Sequence, residues 1–546
     1  MRALGTAAQV SIQSAARVVF LPLLVVEIVG GADASWVIVA SLVVGAAVTA
    51  MSMMRVGPLR STSLYVAVAD PMSIPFCVLA LELGGAVTLA ALVVVAGLSQ
   101  IAAGLWLANL RRFITPGFSI TLVALACISV LPVFARAIDA PAGARWAGAV
   151  PVCMALTAAV IFAMNRLGSP VLKQWAPPVG LAVGAAAAAV YGIYDADLVA
   201  DAAWIGLPAS GWIPTGGIDP LAVAMLAPSF VILALVQVAR ANSSSLMTQL
   251  ASGRLVLDFR EVQRANARIG AGSVLAGIGG TIPLGYSPAG PAALFQTGGD
   301  PRRLRAPFLA VFVAVAASPK LQAALIAVPR AVIVVFFVSV LLVLVTKLVA
   351  VSPFKGRGAP AVLWAPIGAG VVFEVAGAVL GDARGLDAMN GLTAGSVVLI
   401  ALTARRALRT ERHRVDLALA AFSADEIKEF VSSLPVDRGE LKDRLTAVSE
   451  EALMVLIQSD IHSYDPNRQV RLTVTLQGAT IEAEFVAAPS GAQNLQERIM
   501  LLSEPEARDL EAVVERDAAL RLLNHYATSV THRQYRDVEV ITAVVA

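Results

Sequence analysis

The feature that most constrains this chain is the recurrence of apolar runs of about 20 residues across its first three quarters, the length that spans a bilayer as a helix. A hydrocarbon layer offers no partner to a bare N–H or C=O, so each run must close its own backbone hydrogen bonds as a helix. Fourteen runs fit, centred near residues 20, 44, 73, 95, 124, 156, 184, 229, 275, 292, 311, 334, 369 and 396. Charge avoids them: residues 1–404 hold 24 Lys/Arg and 15 Asp/Glu, whereas the much shorter segment 405–546 holds 17 and 23. Only 14% of all residues are charged, against about 25% in an ordinary soluble protein. The expected organisation is a transmembrane domain over 1–404, a basic juxtamembrane linker over 405–420 and a cytoplasmic α/β domain over 421–546. Secreted and nucleic-acid-binding classes are excluded, and the lipid bilayer is the first expected partner.

Orientation follows from the loops. One side carries Arg55, Arg60, Arg111, Arg112, Arg254, Arg260, Arg302, Arg303 and Arg305, while the opposite side carries Asp195, Asp197, Asp201, Asp219, Asp382 and Asp387. The positive-inside rule places the first side in the cytoplasm, so both termini are expected there, in a bacterial inner membrane. Cys77, Cys127 and Cys153 sit in apolar runs without ligand spacing, and all four histidines follow residue 404. No metal or other cofactor is expected, and proton work within the membrane would fall to carboxylates.

Two segments break the helical pattern. Gly57 to Pro75 reads GPLRSTSLYVAVADPMSIP, and Gly277 to Pro291 reads GIGGTIPLGYSPAGP. Proline removes a backbone donor and glycine weakens helix by about 1 kcal/mol, so these stretches predict irregular backbone lining a cavity or buried in protein. They fall third and tenth among the fourteen runs, the same place in each half if the halves are seven-span repeats inverted with respect to each other. Paired interruptions of this kind mark the midplane substrate site of secondary transporters. The expected fold is therefore an all-α polytopic membrane protein of 14 spans in two inverted repeats, with short broken segments in spans 3 and 10. The expected chemistry is transport rather than enzymatic catalysis.

At these residues the chain resembles the nucleobase cation symporter-2 family of uracil and xanthine permeases. The blocks that carry the likeness are PSFVILALVQVARANSSSLMTQLASGR from Pro228, VQRANARIGAGSVLAGIGGTIP, TGGDPR from Thr297, SPKLQAALIAVPRAV from Ser318 and ITPGFSITLVALACISVLP from Ile114. The resemblance implies a core and a gate domain, elevator-type alternating access, a homodimer, and a purine, pyrimidine, xanthine or uracil substrate. The family's eighth-span glutamate falls on Gln237, its tenth-span glutamate on Ala289, and its first-span Gln-His pair on Gln9-Val10. The chain thus lacks the family's carboxylates and histidine. The SulP anion-transporter family shares that fold and often carries a cytoplasmic tail domain. Because Arg240 lies one turn beyond Gln237 on the same helix face, an anion is the alternative substrate.

The expected substrate-binding residues are Gln237, Arg240, Ser63, Tyr65, Tyr286, Ser287, Ala289 and Gln9, with Asp70 and Glu374 as candidates for cation or proton coupling. Arg17 and Arg330 are the other ionisable groups inside spans. In the tail, the spacing predicts a helix over 441–458, a hairpin of strands 470–476 and 480–486 joined at Gln477-Gly478, a helix over 505–527 and a last strand 539–545. This order resembles the histidine-kinase-type ATPase fold of anti-sigma-factor kinases. Val455 replaces that fold's magnesium-holding asparagine, and Ala487-Ala488-Pro489-Ser490-Gly491 its Asp-x-Gly-x-Gly, so the tail is expected to regulate, dimerise or bind a cytoplasmic regulatory protein rather than turn over ATP. A transport-deficient sensor signalling through this tail is a further alternative.

Overall fold

The computed structural model describes residues 2–30, 34–52, 65–111, 113–138, 148–206, 216–251, 258–287, 301–351, 359–380, 390–418, 423–436, 438–459, 469–477, 480–487, 518–536 and 538–546. The chain divides into two compact units, the first Met1–Ser252 with Arg264–Thr403, the second Gly253–Gln263 with Ala404–Ala546.

The first unit is helical. Its main elements are α1 (Arg2–Ile28), α2 (Ser35–Met51), β1 (Ala67–Ala69), α3 (Ile74–Leu105), α4 (Pro116–Arg136), α5 (Ala149–Leu167), α6 (Pro170–Val190) and α7 (Pro220–Ala251). They continue as α8 (Phe259–Ile278), β2 (Leu284–Tyr286), α9 (Pro301–Ala317), α10 (Pro319–Ile326), α11 (Arg330–Val351), α12 (Ala359–Leu380) and α13 (Gly391–Arg409). Six helices among the described residues are long and apolar enough to cross a membrane, and a seventh span arises if the pair meeting at 88° around Ser318 is counted as one. Four shorter apolar helices accompany them. The chain is therefore a multi-pass membrane protein; of the fourteen expected runs, the one centred at 292 lies outside the described residues.

The third run is not a uniform helix. Its first half enters through β1 and a 3-10 turn at Pro71–Ser73, and α3 then bends at Gly85, where φ is +74. That left-handed conformation disfavours a side chain, so the Gly84-Gly85 pair locates the bend. The second break is set by helix termination. Thr281 N donates to Ala276 O at 2.8 Å and Gly280 N to Gly277 O at 3.0 Å, with Gly280 at φ +70. This is a Schellman end to α8, which explains the Gly279-Gly280 pair in the sequence.

Close backbone packing holds α3 against α8. A Cβ added at Gly97 would lie 2.7 Å from Gly270 O and 2.7 Å from Val274 N, and one at Gly277 would lie 2.7 Å from Ala90 O. Lipid tails give helices no hydrophobic reason to associate, so small residues that let backbones touch provide the attraction.

The second unit contains a five-stranded antiparallel sheet in the order β3-β4-β5-β7-β6 (β3 Arg412–Ala418, β4 Gln469–Gln477, β5 Thr480–Ala487, β6 Ser529–Gln534, β7 Glu539–Val545). Helices α14 (Ala424–Ser432), α15 (Gly439–Ser459) and α16 (Ala518–Tyr526) share its core, where Leu445, Leu453, Leu472, Phe485, Leu523 and Ile541 are buried together. The expected helix and hairpin are present, with Leu476 opposite Ile481 and Gln477 opposite Thr480. Two strands go beyond the sequence reading. β3 lies within the stretch read as linker, and β6 follows α16. Residues 505–517 of the expected second helix lie outside the described set. Within this unit Phe259 packs on Tyr535 with ring centroids 5.3 Å apart, and Arg536 N donates to Gln263 Oε1 at 2.7 Å.

Candidate functional site

The two broken segments meet. β1 and β2 form an antiparallel pair with Ala67 opposite Tyr286, Val68 opposite Gly285 and Ala69 opposite Leu284, and every residue of both strands is buried. Local chemistry favours this shape. Val66 and Val68 are β-branched, and the residue before a proline is pushed out of the helical region; Asp70 accordingly has φ −94 and ψ 114 ahead of Pro71. The pair is extended by Asp70 N donating to Pro283 O at 3.2 Å and Ser287 N to Val66 O at 2.9 Å.

Backbone freed from helix has to be satisfied, and α2 does much of this. Thr49 Oγ1 accepts from Ala67 N at 3.2 Å, Ser41 Oγ and Thr281 Oγ1 are 2.6 Å apart, and Trp36 Nε1 donates to Gly279 O at 2.9 Å. These α2 side chains were not among the expected site residues. Their signal in the sequence is faint, because a few hydroxyls in a span read as ordinary small packing residues.

Asp70 sits at the centre of the arrangement. It is 0% exposed, its Oδ1 accepts from Met72 N at 3.2 Å, and Arg240 Nη1 of α7 donates to that same Oδ1 as an ion pair. Gly285 leaves room for the carboxylate, since a Cβ there would lie 3.3 Å from Asp70 Cγ. Gln237 stands three residues before Arg240, hence on the same face of α7. It is 2% exposed, and neither amide atom has a hydrogen-bond partner among the described residues. Arg17 of α1 is also buried, and its Nε has no hydrogen-bond partner among the described residues. Burying a guanidinium inside a span is costly unless something negative completes it. The buried groups at and near the crossing thus include the Arg240–Asp70 ion pair, the Arg17 and Arg268 guanidiniums and an amide without a partner among the described residues, donors of the kind that bind an anion.

The expected tyrosines meet at the strand pair. Tyr65 and Tyr286 have ring centroids 5.0 Å apart, Tyr65 Oη is 2.7 Å from Ser245 Oγ, and Tyr286 Oη donates to Ala265 O at 2.9 Å. Arg268, fully buried, lies over the Tyr65 ring with Cζ 5.0 Å from its centroid. Ser287 is buried at the end of β2. Ser63 and Ala289 lie outside the described residues. Gln9 belongs to α1, and its side chain is not described. Glu374 of α12 is elsewhere: its Oε1 accepts from Gly391 N at 2.9 Å, at the first residue of α13.

No family model matches the chain, and no curated protein matches it in sequence. Among solved structures its fold is shared with SLC26A9, at TM-score 0.52 and 10% identity over 85% of this chain and 78% of that one. The murine Solute Carrier 26 family member A9 anion transporter in the inward-facing state aligns at TM-score 0.50 and 12% identity, over 76% of this chain and 70% of that one. The transmembrane domain of a cyanobacterium bicarbonate transporter, BicA, aligns at TM-score 0.45 and 14% identity over 74% of this chain and 98% of that one.

These neighbours overturn the resemblance to the nucleobase cation symporter-2 family, which is not the fold's assignment here. The glycine- and proline-rich stretches behind that resemblance encode the crossing of two broken spans. They do not encode a substrate. The informative positions were the departures: no carboxylate at Gln237 or Ala289, no histidine at Val10, and an arginine at position 240. The chain has the fold of a solute carrier 26 transporter with a small sheet-containing unit after it.

Proposed function

We propose that the chain is a secondary membrane transporter of small anions, with Arg240, Arg17 and Gln237 as the substrate-binding groups and Asp70 as their fixed counter-charge. The observation that carries this reading is the buried Arg240–Asp70 ion pair at the strand crossing, with the Gln237 amide one turn away and the Arg17 Nε both without partners among the described residues. The fold supports it, since the murine neighbour is an anion transporter. Tyr65, Tyr286 and Ser287 hold the two breaks in register, and Glu374 caps α13 rather than coupling transport to a cation.

In this reading the fourteen spans form two inverted seven-span repeats, and the antiparallel pairing of β1 with β2 is what inversion of two equivalent breaks produces. The part of the first unit that contains the crossing moves as a body against the rest, carrying the anion across in a homodimer of the inner membrane. Both termini face the cytoplasm, where the second unit regulates the cycle. Reconstitution into liposomes tests the proposal. Uptake of radiolabelled chloride, formate, bicarbonate or sulfate is expected and should fall at least about tenfold in Arg240→Gln, the loss of one charged hydrogen-bonding partner. Absence of flux for all four would refute transport, and binding without flux would favour the sensor alternative.

A further inference from the structure

We infer that a zwitterionic, amine-bearing phospholipid binds this chain where α6 and α10 reach the membrane surface, with its phosphate on Lys320 and one acyl chain in an apolar crevice between α1 and α6. The headgroup end is built from two short helices. α10 meets α9 at 88°, and a helix that leaves a span at that angle runs along the bilayer plane. A second short helix, Ala196–Asp201, follows closely on the end of α6 at Val190. It is pinned along α10: Lys320 N donates to Ala203 O at 2.9 Å, Gly206 N to Ala317 O at 3.1 Å and Tyr194 Oη to Ala324 O at 3.0 Å. Trp204 is 69% exposed beside this pair, at the end of a span, where tryptophan marks the membrane–water interface. Lys320 Nζ lies 5.0 Å from the Trp204 ring centroid and donates to Ala200 O at 3.3 Å. An ammonium carries three donors, so Lys320 keeps others for phosphate oxygens.

The acyl end lies one helical turn away. Ala324, on the same face of α10 as Lys320, lines a cavity of about 250 Å³ that α6 closes through Leu181 and Ala185 and α1 through Ile12. Of the side chains around it only Gln13 and Tyr194 are polar, and the Tyr194 hydroxyl is already committed to Ala324 O. Ile12 is 49% exposed, so the cavity opens onto the outer surface of the helices. Polar solutes lose hydrogen bonds in such a place, whereas methylene groups lose none. Charge selects the headgroup. Asp195, Asp197 and Asp201 are all exposed on the short helix and its N-cap. Three carboxylates around one ammonium repel a lipid of net negative charge and complement one that carries an amine beside its phosphate.

The test titrates the delipidated full chain in detergent with phosphatidylethanolamine and with phosphatidylglycerol, followed by native mass spectrometry. One phosphatidylethanolamine should bind saturably and at least about fivefold more tightly than phosphatidylglycerol. Lys320→Gln should weaken that binding about fivefold, the worth of one basic side chain at a lipid surface. Ala185→Phe fills the crevice and should abolish it. In proteoliposomes, phosphatidylethanolamine with a photoreactive diazirine on its acyl chain should label the crevice-lining peptides of α6 or α10, and Ala185→Phe should remove that labelling. Phosphatidylglycerol bound as tightly as phosphatidylethanolamine, an affinity unchanged in Lys320→Gln, or labelling spread evenly over the outer helix surfaces would each overturn the inference. Should Ala185→Phe fail to fold, the surface variant Lys320→Gln and the labelling of the wild type decide the matter.

Discussion

Replacing Arg240 with methionine removes one member of an ion pair whose carboxylate side chain is 0% exposed and whose guanidinium side chain is 10% exposed. At a usual contact distance of about 3 Å and an effective dielectric of about 20, the attraction lost is about 5 kcal/mol. Stranding one member of a buried pair costs about 3–5 kcal/mol in other proteins. The expected loss on replacing Arg240 lies in that range, about 3–5 kcal/mol. The double variant Asp70→Asn/Arg240→Met removes both charges together, so most of the loss should be recovered. Thermal unfolding of the purified full chain in one detergent, followed by intrinsic fluorescence, should rank the wild type first, the double variant second and Arg240→Met last. If the double variant melts no higher than the single one, the two groups do not compensate each other.

Three further outcomes are expected. Gly97→Ala places a methyl group against Gly270 O and Val274 N, backbone atoms that cannot rotate away, and should cost about 1–3 kcal/mol in the same unfolding assay; an unchanged melting curve would mean that α3 and α8 are not in backbone contact. Glu374→Gln retains an acceptor for Gly391 N and should leave anion flux and its dependence on cation gradients unchanged, whereas lost coupling would make Glu374 a transport group after all. In the second unit, partial burial, with Glu450 beside it, raises the Glu451 carboxyl above its usual range. A raised carboxyl gives stability that is present below its unfolded value and lost as pH rises through its folded value. Glu451→Gln should therefore increase hydrogen-exchange protection of α15 at neutral pH, and the difference should vanish on acidification through the ordinary carboxylate range; a difference of the same size at both pH values would refute the assignment.

The breaks were legible because they are written in residues with a single physical meaning. Asp70-Pro71 forces extended backbone, and Gly279-Gly280 ends α8 in a left-handed cap, so their pairing followed from position and composition alone. The partners of the break were harder to see. Arg17 sits in an apolar run where a guanidinium at a helix end or in the interior looks the same, and only packing shows that it is buried. The family was misread because glycine and proline report a backbone path rather than a lineage. In the tail, the β4–β5 hairpin was visible because its inward residues are apolar, Ile481, Ala483, Phe485 and Ala487 alternating with half-exposed neighbours. β3 hides within RHRVDLA, where Leu417 alone is buried. β6 hides because two of its inward residues, His532 and Gln534, are polar; His532 Nε2 meets Glu539 Oε1 of β7 at 2.6 Å inside the unit.

The antiparallel contact between β1 and β2 builds the site, and a cross-link across it is the most direct test. In a background where Cys77, Cys127 and Cys153 are replaced by alanine, Ala69→Cys and Leu284→Cys would place thiols on directly opposed residues. Opposed antiparallel residues have Cα atoms about 4.5–5.5 Å apart, within disulfide reach. Mild oxidation in native membranes, followed by proteolysis and mass spectrometry, is expected to yield the peptides carrying positions 69 and 284 joined by a disulfide. Recovery of both peptides unlinked, from protein whose thiols can be shown to have reacted with an oxidant elsewhere, would mean the two breaks do not meet and that no site is formed between them.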